Sequence, residues 1–392
     1  MTVPDRYRIP CRARLHKVQL DPARFWSPAR CPVCRTPIDP LRLRRLAMWL
    51  AGRAPWSRLR VGRVVITPVD LLAWLALAKV LAGATILWFG GDRNWLGTVA
   101  LYTGRWPWLL PPLVVLPLAL AWRRVALVPL AVALLVGLHA VMGFRVGFAR
   151  FTGQPAPAER LRVLTYNVAM GERGNPSLQL IATVWQPDVL AIQECGPGQR
   201  FALRTLDGFH IDTTATCLAS RHPIEWVKQM PNQQFHGPGG AGVVVTYGIR
   251  TPLGPVVLSN LHLETPRHGL QHLIQGSSLE ESRVEIEANT LLREVESRQA
   301  RRWVDSLGGP RIVVGDFNLP VESGIWQDSW ASLVDAHEAA GLGFGFTRLN
   351  GWIRVRIDHV LTDGAWRPVR STVGPDYGSD HLPVIVDLVP TR

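Results

Sequence analysis

Polar side chains that can bind metals or transfer protons stand at the ends of short apolar runs in the C-terminal part of the chain. Acidic, amide and imidazole groups recur either at the close of one run or just before the next. Because neighbouring strand ends share one edge of a sheet, we expect these side chains to meet in one site. The residues are Asn167, Glu194, His262, Asp316, Asn318, Asp380 and His381.

This set of side chains suits a hard divalent cation and a phosphoryl group. Mg²⁺ prefers carboxylate oxygens and keeps several water ligands. Imidazole and amide groups add donors for a phosphate, and a carboxylate can orient an attacking water. The same region has no Cys/His cluster for catalytic zinc, no phosphate-binding loop with its lysine and no Gly-x-Ser-x-Gly motif. The residues therefore predict metal-assisted hydrolysis of a phosphoester.

Short strands and a few helices must position these residues. Alternating or continuously apolar runs predict strands, two of which form a hairpin across a Gly/Pro turn. Helices are predicted over Pro176–Trp185 and Ser278–Leu307. Many strands and few helices predict an α/β (α+β) domain of two face-to-face sheets with helices outside. The predicted strands are Leu161–Tyr166, Val189–Gln193, Val243–Tyr247, Val256–His262, Arg311–Gly315, Val355–Leu361 and Val384–Leu388.

Composition divides the 392-residue chain into unlike parts. Charged residues make up only 19% and hydrophobic residues 47%, which indicates membrane segments. The net charge is +13, but residues 1–66 hold 15 Lys/Arg against 3 Asp/Glu, whereas residues 151–392 hold 21 against 25. The basic excess lies in and before the apolar region, so it indicates membrane topology rather than a nucleic-acid surface. Five cysteines exclude a disulfide-rich scaffold.

Three apolar stretches follow the basic segment: Pro68–Phe89, Trp106–Trp122 and Val125–Phe144. A span needs about 20 apolar residues, and the second stretch is short and contains prolines, which neighbouring helices can accommodate. Arginines before the first stretch and the Arg123–Arg124 turn both favour the cytoplasmic side. Three spans satisfy both demands and predict a multi-pass membrane protein with a cytoplasmic N-terminus and an extracytoplasmic C-terminal domain.

The predicted organisation has four parts. Residues 1–66 are a basic arm, and residues 67–147 are a transmembrane region of about three helices. Residues 148–160 are a Gly/Pro/Ala-containing linker. Residues 161–392 are the catalytic domain, which is long enough for a core of its own.

Four residues of the basic arm form a candidate structural zinc site. Cys31 and Cys34 give a Cys-x-x-Cys pair, and Cys11 with His16 would complete a tetrahedral Cys₃His set. The second Cys-x-x-Cys pair of a zinc ribbon is missing. Unpaired thiols in an arginine-rich arm are the alternative.

The remaining two cysteines lie in the predicted catalytic domain. Cys195 adjoins Glu194, and Cys217 lies in a predicted strand. An extracytoplasmic location would allow them to form a disulfide, although spacing alone does not fix their distance.

Six motifs occur in order along residues 161–392. They are Leu164–Val168 (LTYNV), Pro187–Glu194 (PDVLAIQE), Ser259–Leu263 (SNLHL), Gly315–Asn318 (GDFN), Arg356–His359 (RIDH) and Gly378–His381 (GSDH). Together they resemble the endonuclease/exonuclease/phosphatase family, which includes pancreatic-type deoxyribonucleases, abasic-site endonucleases, neutral sphingomyelinases and inositol-phosphate 5-phosphatases. The resemblance implies a four-layer α/β sandwich and a Mg²⁺ or Mn²⁺ site.

The resemblance also implies roles for individual residues. Glu194 would be the principal metal ligand, with Asn167 beside it near metal and phosphate, and Asp380 would contribute to the hydration shell of the metal. His262 would stabilise the phosphate or the leaving oxygen. Some branches of the family carry Tyr at that position, so this chain follows the His branch.

The remaining roles concern the attacking water and the phosphate. Asp316 would orient or deprotonate the water, and Asn318 would hold that water or a phosphate oxygen. His381 would contact the phosphate, with Asp358 as its carboxylate partner, a pairing that fixes the imidazole tautomer. Family mechanisms differ on whether Asp316 or His381 is the general base, and both assignments stay open here.

The sequence thus predicts a membrane-anchored, metal-dependent phosphoester hydrolase of phosphodiesterase or nuclease type. A phospholipid or inositol-phosphate hydrolase is the alternative with the same chemistry. A degenerate ligand-sensing domain coupled to the membrane is the alternative without catalysis. The partners implied are the lipid bilayer and a phosphoester substrate: a nucleic acid, a phospholipid or a small phosphodiester.

Overall fold

Helices and strands are described by a computed structural model that covers residues 66–151, 159–171, 177–236, 240–351 and 353–391. Six further strands before residue 67 form three small antiparallel pairs. They are Tyr7–Pro10, Lys17–Leu20, Ala29–Arg30, Pro37–Ile38, Leu59–Val61 and Val64–Ile66. The candidate zinc residues Cys11, His16, Cys31 and Cys34 lie outside the described residues, as do residues 152–158 of the predicted linker.

Apolar helices occupy the predicted transmembrane region. Two are long and apolar enough to cross a membrane: Pro68–Gly90, with 23 residues, and Arg124–Val141, with 18. Trp95–Tyr102 and Trp106–Trp122 are bent by 96° and meet the same test only as a pair, so the described region holds two such helices or up to three. The predicted span at Trp106–Trp122 therefore depends on its partner helix.

The chain divides into two compact units. One comprises residues 1–77 and 111–132, and its described helices pack through small and aliphatic residues such as Ala73, Ala76 and Ala119. The other comprises residues 78–110 and 133–392 and contains both large sheets. The segment of residues 78–110 thus belongs to the same compact unit as the C-terminal domain.

Two six-stranded sheets form the centre of the second unit. The strands are β1 (Leu161–Asn167), β2 (Val189–Gln193), β3 (His210–Asp212), β4 (Cys217–Ser220), β5 (Ile224–Gln229), β6 (Val243–Thr251), β7 (Gly254–His262), β8 (Arg311–Asp316), β9 (Val334–Asp335), β10 (Asp358–Thr362), β11 (Trp366–Val373) and β12 (Val384–Pro390). The first sheet has the order β3-β4-β2-β1-β12-β11, and the second has the order β5-β6-β7-β8-β10-β9. Parallel pairs occur once in each sheet, at β1–β2 and β7–β8.

Helices and shorter ladders surround the sheets. Arg145–Val146 pairs with Leu342–Gly343, and Arg348–Asn350 pairs with Ile353–Val355. The helices of the domain are Leu178–Trp185, Pro197–Arg204, Gln233–His236, Arg267–Gln275, Leu279–Ser306, Gly324–Ser329 and Ala336–Ala340. Leu279–Ser306 begins with a capping box, in which Ser278 and Glu281 satisfy each other's backbone N–H groups.

Strand alternation explains the layers of the domain. Successive side chains point to opposite faces of a strand, so Val163 packs between the sheets while Leu164 packs outward. Leu178 and Ile181 cover the outer face of the first sheet. Helix Leu279–Ser306 covers the outer face of the second sheet through Ala300 and Val304. The result is the predicted α/β fold, arranged as helix, sheet, sheet and helix.

Candidate active site

Three predicted site residues lie side by side at one end of the second sheet. His262, the last residue of β7, pairs in register with Asp316, the last residue of β8. Asp316 pairs in turn with Asp358, the first residue of β10. Strand register therefore sets an imidazole and two carboxylates in a row.

Asn167 connects this row to the first sheet. Its side-chain amide donates to Asp316 Oδ2 at 3.0 Å and to Glu194 Oε1 at 2.9 Å. Its own oxygen accepts the N–H of Ala169, which fixes the orientation of the amide. His262 Nε2 lies 3.6 Å from Glu194 Oε1 and 3.9 Å from Asp316 Oδ2. One buried amide thus brings the carboxylates of both sheets together.

His381 lies between two carboxylates. Its Nδ1 is 2.8 Å from Asp358 Oδ2, and its Nε2 is 3.6 Å from Asp316 Oδ2. Burial acts to lower the pKa of His381, but the charges of Asp358 and Asp316 outweigh it and raise that pKa to about 9. The two carboxylates thus favour a proton on this ring.

Asp316 is the most constrained carboxylate of the site. Burial, together with the nearby charge of Asp358, raises its pKa above the usual range. Its Oδ1 accepts the N–H of Asn318 at 2.9 Å, while Oδ2 accepts from Asn167. The group is thus held rigidly and its ionised form is disfavoured, as expected for a carboxylate that takes part in proton transfer.

The turn after β8 carries Asn318 in a left-handed backbone conformation, with φ of 52°. Asparagine tolerates this region better than most residues. The side-chain amide of Asn318 donates to the carbonyl oxygen of Leu263 at 2.8 Å. Glu194 has a similar backbone, with φ of 48°, so two predicted site residues sit at sharp reversals directly after strands.

The donor set fits a divalent cation. Ligand atoms of Asp316, Asp358 and His381 all lie within 4.8 Å of one another. Asp358 Oδ1 is buried without a hydrogen-bond partner among the described residues. Glu194 adds a further carboxylate, joined to Asp316 through the side-chain nitrogen of Asn167. Carboxylate and amide oxygens are what Mg²⁺ and Mn²⁺ prefer.

Asp380 and an unpredicted arginine complete the cluster. Arg348 Nη2 lies 2.6 Å from Asp380 Oδ2, and Arg348 Nη1 lies 2.6 Å from His381 Nε2. Asp380 Oδ1 is 4.0 Å from His381 Nε2. All eight predicted site residues are therefore linked by contacts of 4.0 Å or less. Nothing in the sequence around Arg348 distinguishes it from the other arginines.

The two cysteines of the domain form a disulfide. Cys195 follows Glu194 directly, Cys217 begins β4, and their Cα atoms are 6.0 Å apart. Because β2 and β4 are paired, the bond ties the turn that carries Glu194 to the neighbouring strand. It restrains the backbone at a predicted metal ligand.

Glu296 gives a stability prediction. Burial raises the pKa of its carboxyl to about 7, although its Oε2 accepts the N–H of Glu264 at 2.9 Å. The folded state therefore binds a proton that the unfolded state has lost, so stability falls as pH rises from about 4.5 to about 7. Glu296→Gln should remove this loss, a relative gain on the order of 2–3 kcal/mol at pH 8 compared with pH 4.5. Melting temperatures of the full chain at both pH values measure it.

Glu294→Gln, on the same helix, is the matched control because this carboxylate lies at the surface beside Arg298. It should change the melting temperature little at either pH. An equal effect of Glu296→Gln at both pH values would contradict the assignment of the raised pKa.

Comparison with known proteins identifies the family. Residues 164–381 match the model of the Endonuclease/Exonuclease/phosphatase family. The chain therefore belongs to this family, whose members hydrolyse phosphoester bonds. No curated protein sequence matches the chain.

Several solved structures are similar to the chain. A family member from Bacteroides thetaiotaomicron is 18% identical, with 61% of this chain and 100% of that chain covered and a TM-score of 0.44. A 3′ phosphatase from Neisseria, bound to a product DNA hairpin, is 18% identical, with 58% and 99% covered and a TM-score of 0.42. A mannosyl-6-phosphatase from Bacteroides thetaiotaomicron VPI-5482 is 18% identical, with 58% and 99% covered and a TM-score of 0.42.

Proposed function

We propose that this chain is a membrane-anchored, divalent-metal-dependent phosphodiesterase whose catalytic domain lies outside the cytoplasm. The observation that carries the proposal is the continuous set of contacts from Glu194 through Asn167 and Asp316 to His381 and Asp358. Buried carboxylates that lie close together repel one another, which lowers the stability of the fold. Clusters of this kind are typical of active sites, where the chemistry requires them.

Glu194 and Asn167 would hold the metal, with Asp380 in its hydration shell. The bound cation would neutralise charge on the phosphoryl oxygens. Asp316 orients the attacking water and accepts its proton, and the hydrogen bonds from Asn167 and Asn318 hold its carboxylate in place for this role. His381, which Asp358 holds through Nδ1, acts on the phosphate. Asn318 holds the water or a phosphate oxygen, and His262 faces the leaving oxygen.

Arg348 belongs to the phosphate site in this proposal. Its guanidinium pairs with Asp380 and lies against His381, so an arginine donor stands beside the imidazole that is predicted to contact the phosphate. Arg348→Ala should raise KM for a phosphodiester by about 10- to 100-fold, since hydrogen bonds to charged groups contribute about 1.5–3 kcal/mol. Initial rates over a range of substrate concentrations measure this effect. An unchanged KM would contradict the role of Arg348.

Activity is tested on the full chain in detergent with Mg²⁺. The substrates are bis-p-nitrophenyl phosphate, p-nitrophenyl phosphate, plasmid DNA, sphingomyelin and inositol phosphates. We expect turnover of the diester above the monoester, and none with Asp316→Ala. Absence of turnover of every substrate in the wild type would favour the ligand-sensing alternative.

One cavity favours the phospholipid alternative as a second candidate. It has a volume of about 490 Å³ and is lined by Trp106, Met142, Phe344, Phe346 and Arg354, among others. Trp106 begins the helix Trp106–Trp122, and Met142 follows the apolar helix Arg124–Val141. Aromatic side chains beside an arginine at helix ends suit the interface between lipid headgroups and acyl chains.

Trp106→Ala separates the two candidates. A lipid substrate predicts a higher KM for a phospholipid in mixed micelles and an unchanged KM for bis-p-nitrophenyl phosphate. Equal effects on both substrates would contradict the lipid candidate and leave the soluble phosphodiester as the better one.

Two observations support the extracytoplasmic location. Disulfides such as Cys195–Cys217 persist mainly in oxidising compartments, and the strongly basic segment before the first apolar helix favours a cytoplasmic N-terminus. A reporter that is active only outside the cytoplasm, fused after Arg392, should be active. A silent fusion to a well-expressed protein would contradict the topology.

A further inference from the structure

A buried ion pair joins the segment between two apolar helices to the catalytic domain. Arg293 Nη1 donates to Asp92 Oδ1 at 2.9 Å, and both side chains are almost fully buried. The hydroxyl of Ser323 donates to Asp92 Oδ2 at 2.5 Å, and the N–H of Gly324 donates to the carbonyl oxygen of Gly91 at 2.8 Å. All of these residues belong to one compact unit.

Tyr102 and Arg293 converge on the backbone of Asn318. The Tyr102 hydroxyl donates to the carbonyl oxygen of Asn318 at 3.0 Å, and Arg293 Nη2 donates to the same oxygen at 3.3 Å. Arg293 also contacts the Tyr102 hydroxyl and lies 5.1 Å from the centre of the Tyr102 ring. Two donors on one buried carbonyl fix the direction of that peptide group.

The carbonyl group that accepts these two hydrogen bonds belongs to Asn318, whose left-handed backbone shapes the turn after β8. Asn318 has a positive φ, and its N–H is bound by Asp316 on the other side. A second buried pair, Arg105 with Glu322 at 2.9 Å, holds the same turn further along. The segment of residues 91–105 therefore packs directly beneath the turn.

We propose that Tyr102 and Arg293 are positioning residues, which hold the backbone at Asn318 so that its side chain stays in the phosphoester site. This inference rests on the proposed function and extends it to residues outside the six family motifs. A segment that connects two apolar helices thereby becomes part of the catalytic architecture. The expected loss on disturbing it lies in kcat, because a misplaced Asn318 affects the reacting geometry more than substrate capture.

Tyr102→Phe removes the hydroxyl and keeps the ring. With the full chain, Mg²⁺ and bis-p-nitrophenyl phosphate, we expect kcat to fall about tenfold and KM to stay within twofold. Arg293→Lys, which keeps the charge but shortens the reach, should lower kcat similarly. Tyr247→Phe is the matched control: this buried Tyr hydroxyl donates to Asp212 at 3.1 Å and lies in β6, away from the site end. The control should leave kcat unchanged.

A double-mutant cycle separates positioning from a general loss of stability. If Tyr102 acts through Asn318, adding Tyr102→Phe to Asn318→Ala should lower kcat by less than a further twofold. A full tenfold loss in that background, or a wild-type kcat in both single variants, would overturn the inference. An inactive wild type would overturn the proposed function itself, so the two failures are distinct.

Discussion

Asp316→Asn should lower kcat by about 10²- to 10⁴-fold. The loss of rate follows because asparagine cannot accept a proton from the attacking water, and general-base catalysis contributes a factor of this size. Asparagine is nearly isosteric and still offers an oxygen to the N–H of Asn318, while its NH₂ group faces the side-chain amide nitrogen of Asn167.

Initial rates with bis-p-nitrophenyl phosphate measure the loss, and thermal melting of the same preparation checks that the variant is folded. Asp305→Asn is the control, because this carboxylate is exposed and forms surface pairs with Arg301 and Arg311. It should change neither quantity appreciably. A variant at Asp316 that keeps more than a tenth of the wild-type kcat would exclude this residue as the base and favour His381.

Removal of the metal should have an effect of similar size. A chelator should reduce activity to background, and added Mg²⁺ or Mn²⁺ should restore it. Glu194→Gln should lower kcat by about 10²- to 10³-fold at millimolar Mg²⁺, because a neutral amide is a much weaker ligand for a hard cation. Among the described residues, His262 is the only basic group that pairs with the Glu194 carboxylate. Little else nearby would therefore compensate for the loss of this carboxylate.

Metal binding has a readout that does not depend on turnover. Mg²⁺ should raise the melting temperature of the wild type, since a ligand at about 100 times its Kd stabilises the folded state by about 2.7 kcal/mol. Glu194→Gln should lose most of this rise. Glu225→Gln, which alters a surface carboxylate paired with Arg250, should keep it. A full metal-induced rise in Glu194→Gln would show that the cation binds elsewhere.

The sequence predicts the fold well because its motifs lie at strand ends. The end of β1 at Asn167, the end of β7 at His262 and the strand before Asp316 are all visible as apolar runs that stop at a polar residue. Strand register then places these polar residues together, as His262, Asp316 and Asp358 illustrate. The local pattern locates these residues, and the pairing of neighbouring strands brings them together.

Other features depend on contacts between residues far apart in sequence. Tyr102 and Asn318 are separated by 216 positions, and no local pattern links them. The same holds for Arg348, one of many arginines in the chain, which begins the short strand Arg348–Asn350 and meets His381 through a backbone bridge between the two residues. Composition places residues 78–110 with the membrane region, whereas buried ion pairs place them in the same compact unit as the catalytic domain.

The buried pairs Asp92–Arg293 and Arg105–Glu322 have a consequence for the independence of the C-terminal part of the chain. A fragment of residues 161–392 would lack Asp92, Tyr102 and Arg105, so Arg293 and Glu322 would lose their ion-pair partners and become open to solvent. We therefore expect this fragment to be less stable than the full chain.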